Sequence, residues 1–261
     1  MRYLIVLAAV FLGFLIVFFI SERKNKYDLL DLYWGLSFAV AAWSSYLISD
    51  KRSALAFLLS IMASLWGLRL FIFLSIRNLS KGEDKRYTEM KQKAGLNSAF
   101  SRFVRFFLPQ FVLSVIISSP IVIVNLSRPA ALSLAIIPGL IIWAIGLFFE
   151  TVADWQKYRF KNQPGNAKKL MTSGLWQFSR HPNYFGESMV WWGVFLVIIL
   201  RQPGLFWLVY SPALITYLLL NVSGVPLLEK EYKNREGWAL YQASTSKFFP
   251  LPPKNKKAVK S

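Results

Sequence analysis

Apolar residues in this chain fall in long runs, with the polar and charged residues gathered between them. The runs cover residues 3–20, 32–49, 54–76, 106–125, 131–149, 188–200 and 205–222, and the sixth extends backwards through Asn183. A helix needs about 20 apolar residues to cross the hydrocarbon core, and these segments approach or meet that length. The pattern predicts an all-α integral membrane protein with about seven transmembrane helices. The first run has only Arg2 ahead of it, lacks a small-residue cleavage site, and is followed by Ser21-Glu22-Arg23-Lys24. It therefore reads as an uncleaved first span.

Composition points the same way. Of 261 residues, 55% are hydrophobic and 17% charged, and a soluble domain of that make-up could not cover its surface. The net charge of +18 would suggest nucleic acid in a soluble protein, but the apolar content assigns it to a membrane and no nucleic-acid partner is expected. Lys and Arg alternate between heavy and light connections: 25 lie on one side of the seven spans and 5 on the other, with Arg69 inside the third. The positive-inside rule then places the N-terminus outside and the C-terminus in the cytoplasm. Six or eight spans would break the alternation. A single transmembrane domain is expected over residues 1–253, with a basic disordered tail at 254–261 that could lie against anionic lipid. The expected location is a bacterial inner membrane, or the endoplasmic reticulum in a eukaryote.

Zero cysteines exclude disulfides, thiolate metal sites and cysteine nucleophiles, and the single histidine, His181, excludes histidine-rich metal centres. No metal site is expected. Chemistry belongs instead on the three heavy connections, 77–105, 150–182 and 224–261, which share one face.

An ionisable group inside a span needs a partner, a polar cavity or a route to the interface. Arg69 either snorkels or meets an anion within the bundle, and Asp31, at the mouth of the second span, is a possible partner that would also suit a helix N-terminus. Arg77 lies eight residues on, nearly on the same helical face, where it anchors the cytoplasmic end or joins Arg69 in holding an anionic ligand. The densest stretch is Gly174-Leu175-Trp176, then Ser179-Arg180-His181-Pro182-Asn183-Tyr184-Phe185-Gly186-Glu187, then Trp191-Trp192-Gly193. Pro182 suits a first helical turn, which puts Asn183 and Glu187 on one face entering the membrane. Arg180 and His181 precede that helix, where its N–H groups could help them hold a phosphate, or His181 is simply interfacial. Glu150, Asp154, Lys157 and Lys161 form a helical series that solvated i, i+4 pairing would explain. Residues 229–238 read as a charged amphipathic helix carrying Tyr232.

These motifs, with Trp66-Gly67-Leu68-Arg69-Leu70 and Gly82-Glu83-Asp84, resemble the bacterial membrane proteins grouped with the steroid 5-alpha-reductase C-terminal domain. The likeness covers about residues 28–253, and its C-terminal motif region begins near 131. It implies a seven-helix reductase holding NADPH in a cytoplasm-facing cavity. Carried over by position, Asn183 and Glu187 fall beside the nicotinamide and ribose, and Asp154 on an acidic cofactor contact. Lys161 and Lys169 fall where arginines contact phosphates, Arg69 and Arg77 near two further arginines, and Tyr232 on a cofactor-facing tyrosine. Arg180, His181 and Tyr184 complete the cofactor set. The chain departs from steroid reductases in two places: Trp66 stands where they place a carbonyl-polarising tyrosine, and no Gln-Glu pair occurs in the second span, where only Asp31 and Tyr33 could substitute.

The expected function is thus NAD(P)H-dependent reduction of a carbon–carbon double bond in a lipid-soluble, steroid-like or isoprenoid-like substrate. Asp31 is the candidate acid, followed by Tyr33, with Trp66 near the substrate. The alternative is S-adenosylmethionine-dependent methylation of a lipid or prenylated thiol, which Arg180-His181-Pro182-x-Tyr184 and Glu229-x-Glu231 support. Transport is disfavoured because the polar motifs lie on one face only.

Overall fold

The computed structural model describes residues 1–78, 82, 85–93, 97–127 and 129–254. Glu83 and Asp84, and the basic tail beyond Lys254, lie outside the described residues. Among the described residues every regular element is a helix, and the one pairing of extended chain is an isolated bridge between Ser179 and Ser246. Its contacts divide it into two compact units, Met1–Ser133 and Leu134–Ser261.

Five helical stretches are long and apolar enough to cross a membrane: Arg2–Lys24, Ala54–Asn78, Ala99–Leu126, Leu134–Asn162 and Pro203–Tyr232. Two further helices match expected runs, Leu29–Ile48 and Pro182–Ile199. Nine of 20 and ten of 18 residues are buried in these two, against five of 23 in Arg2–Lys24. A helix shielded by its neighbours presents less surface to lipid, so Ser, Gly, Trp and Glu replace some of its aliphatic residues.

In the first unit the helices are α1 (Arg2–Lys24), α2 (Leu29–Ile48), α3 (Ala54–Asn78), α4 (Lys85–Lys93) and α5 (Ala99–Leu126), the last with a π turn at Phe103–Phe107. Asn25, at φ 48°, ends α1 in the left-handed conformation that asparagine tolerates. Gly35 and Gly67 let α2 and α3 touch backbone to backbone: a Cβ on Gly67 would lie 2.3 Å from the Gly35 carbonyl oxygen. Deeper in the bundle, Asn125 Nδ2 donates to Ala42 O (2.9 Å), Ser45 Oγ (3.0 Å) and Ser60 Oγ (3.3 Å), joining α5 to α2 and α3. Such interhelical bonds are worth about 0.6 to 1.7 kcal/mol each in a membrane.

The second unit holds α6 (Ile137–Asn162), α7 (Pro182–Ile199), α8 (Tyr210–Asn221), α9 (Val225–Tyr232) and α10 (Trp238–Ser244). The seventh run begins as a 3-10 helix, Pro203–Val209, with a kink at Leu205, and only then becomes α8. The amphipathic helix expected over 229–238 is two helices, because Gly237 takes φ 75° and turns the chain between α9 and α10. Along the α6–α7 seam, Gly139, Gly146, Gly186 and Gly193 each face the other helix at a distance that leaves no room for a methyl group. This close packing sets the two helices in register and places the polar ends of both side by side.

Candidate functional site

In the second unit the polar motifs converge on the ends of α6 and α7. Solvated pairing of the α6 series is not what the structure shows, because this side of the helix packs on α7 and on the connection after it. Glu150 is only 2% exposed. Asp154 Oδ1 accepts from Asn183 Nδ2 at 3.1 Å. One turn on, Lys157 Nζ lies 4.7 Å from the Trp176 ring centroid and 5.3 Å from that of Tyr232. Finally Lys161 Nζ donates to the carbonyls of Ala167 (2.8 Å) and Lys169 (2.5 Å), folding the following loop back on the helix. Gly174, at φ 62°, brings that loop against Gln156, whose side chain accepts from Leu175 N–H at 3.0 Å. Trp176 is then buried, its indole N–H on Ala153 O at 3.0 Å.

These placements form a narrow pocket lined by Lys157, Lys161, Lys169, Leu170, Met171, Trp176, Tyr232, Arg235 and Tyr241. Three residues carried over from the family resemblance, Lys161, Lys169 and Tyr232, meet here. Arg235 was not singled out in the sequence; its Nη1 donates to Lys169 O at 3.4 Å, the carbonyl that Lys161 also holds, and that placement could not be read before the α9–α10 turn was known. Arg235 stacks on Tyr232 at 4.6 Å and pairs with Glu231. Tyr241 donates to Trp176 O at 2.6 Å, and burial pushes its phenol above the usual tyrosine range. Lys168 and Lys169 are both exposed, and of the two Lys169 lines the pocket.

Beside this pocket stands a cluster made by Arg180, His181 and Glu229. Arg180 Nε donates to Glu229 Oε1 at 2.9 Å, and its Nη1 donates to Gln242 O (2.8 Å) and Thr245 O (3.0 Å) at the end of α10. His181 is fully buried, with Nε2 3.1 Å from Glu229 Oε1 and its ring stacked on Tyr184 at 5.7 Å and 8°. Its Nδ1 and the Asn183 Oδ1 are buried without a hydrogen-bond partner. Glu187 is half-buried one turn further along α7. On the far side of α9, a groove of about 300 Å³ is lined by Glu229, Lys230, Lys233, Trp238 and Gln242.

Burial lowers the His181 pKa from its ordinary value, against the opposing pull of Glu229. A depressed histidine pKa means that the folded state binds fewer protons than the unfolded one, so stability is complete above the unfolded value near 6.5 and is lost as pH falls through the folded value. Melting followed in detergent from about pH 8 down to about pH 5 is therefore expected to fall below about pH 6.5, by about 1.4 kcal/mol per unit of depression. His181→Gln should flatten that slope, and an equal slope in the variant would assign it to other groups.

The first unit holds the remaining candidates in separate surroundings. Asp31 Oδ1 accepts from Tyr87 of α4 at 2.6 Å. Tyr33 packs on Gly13 of α1, its hydroxyl 3.4 Å from Val10 O. Trp66 is fully buried edge-on to Phe38 at 5.1 Å. Arg69 and Arg77 both lie over the Phe73 ring, at 5.8 and 5.7 Å. Near the end of α1, Arg102 forks onto Glu22 at 2.8 and 2.5 Å, and Glu22 accepts from Tyr27 at 2.5 Å. Burial, followed by the Glu22 carboxylate, pushes Tyr27 up to about 12.

Helices of this length and composition, with their polar groups gathered at the helix ends, define an all-helical membrane protein with several spans. A family model described as protein of unknown function (DUF1295) matches residues 17–245, and the chain belongs to that family. A stretch of 46 residues, 18% of the chain, is 46% identical to the probable O-methyltransferase ustE of Ustilaginoidea virens and spans 16% of that protein. No solved structure matches.

Proposed function

We propose that the protein is an NAD(P)H-dependent membrane reductase acting on a carbon–carbon double bond in a lipid-soluble, steroid-like or isoprenoid-like substrate. The observation that carries this reading is the pocket lined by Lys157, Lys161, Lys169 and Arg235, in which Lys157 lies over the rings of Trp176 and Tyr232 and Arg235 over that of Tyr232. Cations around flat aromatic faces suit a ligand with both phosphates and planar rings, and charge-assisted bonds to phosphate are the strong ones. Lys161, Lys169 and Arg235 would hold phosphates, with Asn183, Asp154, Glu187 and Tyr232 nearer the rings. Bound NADPH would supply the hydride. Asp31 is the proposed proton source, with Tyr33 second, and Trp66 would offer its indole N–H to the substrate.

The second reading, S-adenosylmethionine-dependent methyl transfer, is favoured by the 46-residue likeness to a probable O-methyltransferase. That cofactor carries a cationic sulfonium and no phosphate, so four converging cations suit it poorly. The two readings separate on binding to the purified full chain in mild detergent. NADPH is expected to bind more tightly than S-adenosylmethionine. Lys169→Gln should weaken NADPH roughly tenfold, for one charge-assisted bond of about 1.5 to 3 kcal/mol before screening. Lys168→Gln, at a position that does not line the pocket, should change it little. Tighter S-adenosylmethionine binding would move the assignment to methyl transfer.

The reading also takes seven spans with the N-terminus outside and the C-terminus in the cytoplasm, following the 25 to 5 split of cations. Gly165 has open space around it, so a reporter fused there should fold. A reporter active only in the cytoplasm is expected to give signal after Gly165 and none after Gln202. The reverse result would invert the orientation.

A further inference from the structure

We propose that Glu229, held by Arg180, is a positioning residue that fixes His181 as the tautomer protonated on Nε2, so that Nδ1 and the nearby Asn183 Oδ1 are buried acceptors for N–H or O–H donors of the bound small molecule. The inference rests on the reading that this unit binds a nucleotide-type cofactor, and it adds which way the site's hydrogen bonds must run.

The assignment follows from the partners. An ionised carboxylate can only accept, so the 3.1 Å contact between Glu229 Oε1 and His181 Nε2 requires a proton on Nε2. Arg180 keeps Glu229 in place through its Nε, at 2.9 Å, while its Nη1 is tied to two carbonyls at the end of α10. The guanidinium beside it also keeps the carboxylate ionised. The imidazole is fully buried and stacked on Tyr184, an environment that disfavours a second proton. Nδ1 is then a lone pair with no partner. The same logic fixes Asn183: its Nδ2 donates to the Asp154 carboxylate at 3.1 Å, which leaves Oδ1 as the free end, buried and unpartnered. Two unsatisfied acceptors at the start of α7 select hydrogen-bond donors and repel carboxylate or phosphate oxygens. A primary carboxamide, an ammonium or a ribose hydroxyl meets the requirement. The pocket lined by Lys157, Lys161, Lys169 and Arg235 has the opposite preference, so the cluster and the pocket orient a ligand that carries donors at one end and phosphates at the other.

The chain contains one histidine, so nitrogen NMR of the full chain labelled with 15N-histidine reads this ring alone. The expected result is a single tautomer with the proton on Nε2. Adding NADPH should shift the Nδ1 resonance as a donor reaches it. Glu229→Gln, whose amide can donate or accept, should lose the single tautomer while the chain still melts cooperatively. A proton on Nδ1 in the unsubstituted protein overturns the proposal without any variant having to fold. A folded Glu229→Gln protein that keeps the single tautomer overturns the role of Glu229. A shift with S-adenosylmethionine and none with NADPH supports the acceptor site and overturns the reductase reading. No shift with either overturns the ligand role.

Discussion

Gly186→Ala is expected to be among the most damaging single-methyl changes in this chain, with a loss of about 3 kcal/mol or more in the α6–α7 pair, at the upper end for overpacking. A Cβ built on Gly186 lies 2.4 Å from Glu150 N, 2.6 Å from Gly146 O and 2.8 Å from Glu150 Cβ. Two of those three neighbours are backbone atoms of a helix, which cannot swing aside as a side chain would. Gly146 has the reciprocal problem, its Cβ 2.6 Å from Val190 N and 2.7 Å from Gly186 O. The methyl must therefore push the two axes apart, and the separation propagates to Gly139 and Gly193, which depend on the same close approach. Glycine to alanine raises intrinsic helix propensity by about 1 kcal/mol, so a simple helix would be stabilised. Gly204→Ala is the control, since nothing lies within 4 Å of its Cβ position. Thermal melting of both variants in the same detergent checks the expectation. A Gly186→Ala melting point equal to that of Gly204→Ala would show that the seam can relax.

The same glycine shows where the sequence could be read and where it could not. Hydropathy located the helices because spanning length and apolar composition are local properties. The expected run at 54–76 falls within the helix Ala54–Asn78, and the run at 106–125 within Ala99–Leu126. What packs inside the bundle was less legible. Gly186 sat in a motif read for its polar neighbours, although its own contribution is contact with α6. The 3-10 start at Pro203–Val209 and the turn at Gly237 depend on backbone angles that an apolar or amphipathic pattern does not record.

For the site, residue types were legible and partnerships were not. Asn183 and Asp154 were both singled out, and 29 positions apart they share a hydrogen bond. Lys161, Lys169 and Tyr232 line one pocket, but the cation that joins them there, Arg235, carried no signal of its own. The series Glu150, Asp154, Lys157 and Lys161 looked like surface pairing because spacings of three and four are the same on a buried face as on an exposed one. Arg180 is the sharpest case. Before a helix N-terminus it suggested a phosphate contact, yet the structure gives it partners on α9 and at the end of α10, which no local spacing could have linked.

Arg180→Gln is accordingly expected to loosen the whole C-terminal segment. The guanidinium is 8% exposed and its partner Glu229 18%, and removing one member of a buried pair costs about 3 to 5 kcal/mol because the other charge is stranded. Residual solvent around Glu229 places the expectation near the lower end of that range. The loss is larger than an ion pair alone would give, since Nη1 also holds the carbonyls of Gln242 and Thr245. Arg180→Lys should recover little, because an ammonium on a flexible stem cannot reproduce a planar fork that reaches a carboxylate on one side and two carbonyls on the other. Adding Glu229→Gln to Arg180→Gln should restore part of the stability by removing the stranded charge, a coupling that a double-mutant cycle measures. Lys247 is exposed just beyond this clasp, so trypsin should cut there faster in Arg180→Gln than in the parent chain, and the double variant should fall between the two. Unchanged cutting and an unchanged melting point would release Arg180 from the C-terminal segment and return it to the ligand as its principal partner.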